Sequence, residues 1–77
     1  MSKVSREQQR QRKLFGDQND KDDLEWLAVT SEEWGEAARE LNEMYFNNTP
    51  GAEKRMEKEL IETMACIKTW LENRGDS

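Results

Sequence analysis

An all-α fold, an antiparallel helical hairpin or bundle completed by oligomerisation, follows from three features of the sequence. Apolar residues recur at helical spacing in two long stretches, and no stretch alternates with the period of a strand. The single proline, in "NNTPG", separates the two runs. Finally, only 34% of the 77 residues are hydrophobic while 38% are charged. A chain this short buries about 60–65% of the surface its unfolded form exposes. Its core is therefore thin, and a second copy or another partner is needed to cover enough apolar area.

Taken in order, the first element is a helix over about Ser5 to Lys13, rich in Gln and Arg and flanked by Val4 and Leu14-Phe15. It offers little to a core. "FGDQNDKDD" then reads as a loop ending in a helix N-cap at Asp22 or Asp23, where acids also suit the positive end of the helix dipole. From Leu24 the small and apolar residues Leu24, Leu27, Ala28, Ser31, Trp34, Ala38, Leu41 and Tyr45 mark one long helix that runs to about Asn47. Pro50 suits the first position of the next helix, with Thr49 as its cap. Met56, Leu60, Thr63, Met64, Ile67, Trp70 and Leu71 form the second stripe, which ends at Asn73-Arg74-Gly75. The organisation expected is a basic N-terminal helix or arm with its loop over 1–22, a helical hairpin over 23–74 and a tail over 75–77.

Composition then narrows the function. A net charge of −5 opposes the phosphate attraction on which nucleic-acid binders rely, so nucleic acid is not an expected partner. The basic segment "SKVSREQQRQRK" is a local exception, suited to an anionic ligand or an acidic neighbouring subunit. The lone Cys66 excludes an intrachain disulfide and points to a reducing compartment. With no long apolar run, a membrane partner is not expected and the cytoplasm is the expected location. Histidine is absent, which removes the commonest general base and nearly every zinc site. Chemistry here must run on carboxylates, amines or hydroxyls, and carboxylate ligands select hard cations, Mg²⁺ or Mn²⁺.

The carboxylates are suitably spaced. Glu33 and Glu36 stand three residues apart on the first long helix, Glu32 and Glu36 four apart, and Glu59 and Glu62 three apart on the second, so each pair projects from one face. A hairpin turning at Thr49-Pro50 puts Glu36 level with Glu62 or nearby, and Glu33 within about a turn of that level. Four carboxylates from facing helices can then converge on one or two cations. A merely solvated face is also rich in charge. Favouring a site, Glu36, Glu59 and Glu62 lie near the apolar stripes, and Gly35 stands inside the first cluster, where a close approach would call for glycine.

The stretch "WLAVTSEEWGEAARELNE" followed by "EKELIETMACIKTWLE" resembles the MazG-like family of all-α nucleoside triphosphate pyrophosphohydrolases, whose signature is E-E-x-x-E on one helix and E-x-x-D on the next. Those positions are Glu32, Glu33 and Glu36, then Glu59 and Glu62, the last a Glu in place of the family's Asp. "RQRKLFGDQ" also resembles the stretch that precedes the signature in short members, and the likeness spans about Gln8 to Glu72.

The resemblance implies an all-α pyrophosphohydrolase-like fold assembled as a homodimer or homotetramer. It implies a Mg²⁺-dependent (or Mn²⁺-dependent) hydrolysis of a nucleoside triphosphate to the monophosphate and pyrophosphate. Glu33, Glu36, Glu59 and Glu62 would be the metal ligands, and Glu32, Glu33 and Glu36 the catalytic carboxylates. For substrate binding, Lys58 and Lys68 are candidates to neutralise phosphate and Trp26 to stack on a base. Each has a plainer role open to it, the lysines as surface partners of Glu62 and Glu72 and the tryptophan as core. The alternative function is a non-catalytic helical protein that binds or inhibits a protein partner.

Overall fold

A computed structural model describes residues 2–16 and 20–75, and among these the chain forms three α-helices and no strand. Helix α1 spans Lys3–Phe15, α2 spans Asp23–Phe46 and α3 spans Ala52–Asn73. Residues 17–19 of the expected N-terminal loop and residues 76 and 77 of the expected tail lie outside the described residues.

Local chemistry fixes the helix ends. Ser2 caps α1 by accepting the Ser5 N–H at 3.0 Å, and Gly16, at a left-handed φ of 76°, ends it. Asp22 caps α2 in a reciprocal box: its side chain accepts the Glu25 N–H at 2.8 Å, and the Glu25 carboxylate accepts the Asp22 N–H at 3.2 Å. The start of α3 differs from the expected Thr49 cap. Gly51, at φ 82°, occupies the N-cap, a left-handed position that favours glycine, while the Thr49 hydroxyl donates back to Glu43 Oε2 at 2.7 Å. That bond and one from Asn47 hold the Glu43 carboxyl below its ordinary range and close the turn.

Helix α3 is the central element, packed against α2 and against α1. Its far end is tied to the start of α2: Trp70 Nε1 donates to Asp23 Oδ1 at 2.9 Å, and Arg74 pairs with the other oxygen of Asp23. Helix α1 docks through amides rather than apolar side chains. Gln8, only 4% exposed, donates to Thr69 Oγ1 at 2.9 Å and Glu72 Oε1 at 2.6 Å. Removing a buried donor of this kind costs about 1–3 kcal/mol, so Gln8→Ala should lower the urea-unfolding free energy by that amount. An unchanged midpoint would show that α1 is held by something else.

Among the described residues, the buried apolar ones are Trp26, Ala37, Ala52, Ala65 and Cys66. They do not include the α2 stripe expected to mark its packing face. Leu24, Leu27, Trp34, Leu41 and Tyr45 are all exposed, and the face of α2 turned to α3 carries Trp26, Ala37 and the glutamates instead. The expected helix is present, but its apolar side points away from the rest of the protomer. Gly35 lies on that outward side, and a Cβ added there would meet nothing within 4 Å, so no neighbour among the described residues requires the glycine. Among the described residues no helix is long and apolar enough to cross a membrane.

Candidate metal centre

At 100° per residue, Glu33 and Glu36 leave α2 on the side opposite its apolar stripe, which corrects the expectation that Glu36 lies near that stripe, and they meet α3, whose Glu59 and Glu62 face them. One carboxylate oxygen from each of the four lies within 4.8 Å of the others. All four side chains are half-buried. The pairing of i,i+3 residues across an antiparallel hairpin therefore places them at one level, as their spacing in the sequence anticipates.

Oε2 of Glu33 and Oε2 of Glu59 are shut off from solvent and have no hydrogen-bonding partner. Burial, helped by the neighbouring carboxyls of Glu62 and Glu36, pushes Glu33 up to about 7. Burial with Glu36 and Glu62 alongside pushes Glu59 up to about 8. An unsatisfied buried polar atom costs about 1–3 kcal/mol, and more when it is charged. Near neutral pH, bound protons therefore offset part of the repulsion among these four hard oxygen donors, a task that a divalent cation can take over.

The nearest cations come from α1 and α3. Arg10 Nη2 stands 3.7 Å and Lys58 Nζ 3.9 Å from Glu62 Oε1, while Arg10 makes its shortest bonds to Glu7 at 2.6 and 2.8 Å. They belong to a cleft of about 400 Å³ between α1 and α3, lined by Lys3, Arg6, Arg10, Lys54 and Lys58 together with Glu7, Glu57 and Ile61. A second hollow, of about 280 Å³, opens beside Glu33 between Gln11, Phe15, Lys21, Val29 and Cys66. Five positive side chains thus gather on the Glu62 side of the four glutamates, and a largely apolar hollow with one free-standing aromatic on the Glu33 side.

The other expected site residues fall in different places. Glu32 is exposed and stands outside the group of four. Lys58 lines the cationic cleft, but Lys68 does not. It donates to Ser5 Oγ at 3.2 Å, beside the hollow that holds Val4 and Met64. Trp26 is corrected as a stacking residue: at 1% exposure, with Lys21 Nζ 5.4 Å from its ring centroid, it has no face to offer a base and serves as core. The Cys66 thiol is pushed up to about 11 by burial and by Glu33 nearby, which suits a packing residue and not a nucleophile.

Sequence reasoning missed the part played by α1. Arg10 reaches Glu62, and Gln11 donates to the Glu62 carbonyl at 3.4 Å while its own carbonyl faces the Cys66 thiol at 3.9 Å. The signal available was the "REQQRQ" run itself, whose Gln and Arg recur at three- and four-residue spacing. No family model, curated protein or solved structure matches the chain.

Proposed function

We propose that the protein hydrolyses nucleoside triphosphates to the monophosphate and pyrophosphate with the help of Mg²⁺ or Mn²⁺, on an all-α pyrophosphohydrolase-like scaffold that works as an oligomer. The observation that carries this reading is the group Glu33, Glu36, Glu59 and Glu62, whose oxygens lie within 4.8 Å of one another with two of them buried and unpartnered. The E-E-x-x-E and E-x-x-E spacing supports it, through the resemblance to MazG-like enzymes.

The four glutamates would hold the cation, whose charge would draw the phosphate oxygens and lower the pKa of a bound water. The residues around them have separable tasks. Lys3, Arg6, Arg10, Lys54 and Lys58 neutralise the phosphate chain along the α1–α3 cleft. The hollow beside Glu33 takes the base, with Phe15 as its aromatic wall and the Gln11 amide as its polar group. Water attacks phosphorus, pyrophosphate leaves, and the water's proton passes to a carboxylate, since the chain has no histidine. Glu32, exposed and next to Glu33, is available for that proton because it lies outside the ligand set.

The test is pyrophosphate release over a panel of ribo- and deoxynucleoside triphosphates. Pyrophosphate and monophosphate should appear in equal amounts with Mg²⁺ or Mn²⁺ and should vanish with a chelator. The absence of release from every common triphosphate with either ion would refute the activity.

A further inference from the structure

Helix α2 carries the most unusual surface on the molecule. Leu24, Leu27, Ser31, Trp34, Ala38, Leu41 and Tyr45 follow one another at alternating spacings of three and four, the repeat by which one helix seats on another. All seven are exposed, Leu24 at 76%, Trp34 at 60% and Tyr45 at 70%. At about 200 Å² for each fully exposed large side chain, the five large residues leave about 600 Å² of apolar surface uncovered. That equals the largest patch an ordinary monomer shows, and with the small residues between them it approaches the roughly 800 Å² per partner of a stable interface.

We infer that this face is a two-fold interface with a second copy of the chain, formed by α2 against α2 in antiparallel orientation. Two features select a copy of this chain over a different protein. The first is charge. An isologous interface sets one patch against the same patch of the other copy, so any net charge on it meets the same charge across the two-fold axis. In a chain with 38% charged residues, the stripe and the flanking Ala28, Gly35 and Asn42 contain none. The corresponding apolar face of α3, with Met64, Ile67 and Leu71, has Lys68 and Glu57 beside it and lacks this property.

The second feature is shape. The stripe has large residues at both ends, and at its middle Trp34 is surrounded by Ser31, Gly35 and Ala38. A two-fold axis near the middle of α2 sets the Trp34 ring of each copy against the small residues of the other. This explains a glycine in mid-helix that costs about 1 kcal/mol relative to alanine and that no contact among the described residues requires. Because the stripe and the four glutamates occupy opposite sides of α2, the interface leaves the candidate metal centre open, and the two assignments stand or fall separately.

Sedimentation equilibrium of the intact protein should give twice the chain mass of 9.1 kDa, or a multiple of that dimer. Trp34→Glu should raise the dissociation constant of the α2 pair by about 30-fold or more, the effect of losing a central aromatic anchor, while helix content by circular dichroism is retained. If that variant does not fold, Ala38→Cys decides: a short bis-maleimide should link two copies through the introduced thiol, whereas Met64→Cys gives the comparison for the α3 face. A monomeric wild-type protein at high micromolar concentration would overturn the inference. So would a folded Trp34→Glu protein that keeps the dimer mass, or cross-linking at position 64 without any at position 38.

Discussion

Replacing Glu59 with Gln should make the metal-free protein more stable and, in the same molecule, inactive. Wild-type Glu59 faces Glu33, Glu36 and Glu62 with one oxygen buried and unpartnered, so once it is ionised, above about pH 8, its charge adds repulsion against every neighbour in the group. Each like-charge pair on a helical surface costs a few tenths of a kcal/mol, so removing one carboxylate should return about 1 kcal/mol. In a domain of this size that amounts to a rise in melting temperature of about 4–8 °C. Losing even a supporting partner of a metal ligand costs about 10–100-fold, so losing a ligand should reduce pyrophosphate release by at least about 100-fold. The stabilisation that Mg²⁺ gives the wild-type protein should disappear with it. A purely structural glutamate would give a different pattern, since its loss would lower the metal-free melting temperature.

The pH dependence of the metal-free protein should run opposite to that of most carboxylate-rich domains. Glu33 is raised to about 7 and Glu59 to about 8, chiefly by burial, above the ordinary glutamate value near 4.3 in an unfolded chain. Between those limits the folded state binds more protons than the unfolded state, so stability falls as pH rises. The contribution is fully present below the unfolded value and is lost as pH climbs through about 7 to 8. Thermal melts with a chelator present should therefore show a higher midpoint at pH 5 than at pH 8.5. Added Mg²⁺ competes with those protons, so the stabilisation it gives should grow over the same interval. A metal-free midpoint that rises from pH 5 to pH 8.5 would show that the four carboxylates are not held together in the folded chain.

Which parts of this arrangement were legible in the sequence follows from the range of the forces involved. The Asp22 cap was readable because it rests on residues within one turn of each other, and the common level of Glu33, Glu36, Glu59 and Glu62 along the hairpin because helix spacing and one turn position set it. Thr49 shows where local rules compete: its hydroxyl binds Glu43, and the left-handed Gly51 starts α3 in its place. The orientation of α2 was not readable. Periodicity locates an apolar stripe, but it does not say whether that stripe meets the same chain or another one. Here Trp26 and Ala37, off the stripe, make the intramolecular contact. The docking of α1 was hidden for a related reason, since Gln8 and Gln11 pack by hydrogen bonds and leave no apolar period to find.

The measurement that bears most directly on the four-glutamate centre is a Mn²⁺ titration followed by electron paramagnetic resonance, in which the sharp signal of the free ion is lost on binding. The wild-type protein should take up one or two equivalents of Mn²⁺ per chain at pH 8, Mg²⁺ should displace them, and Glu36→Gln should abolish the uptake. Equal free-ion signals from the wild-type and Glu36→Gln proteins would contradict the assignment of Glu33, Glu36, Glu59 and Glu62 as a cation site.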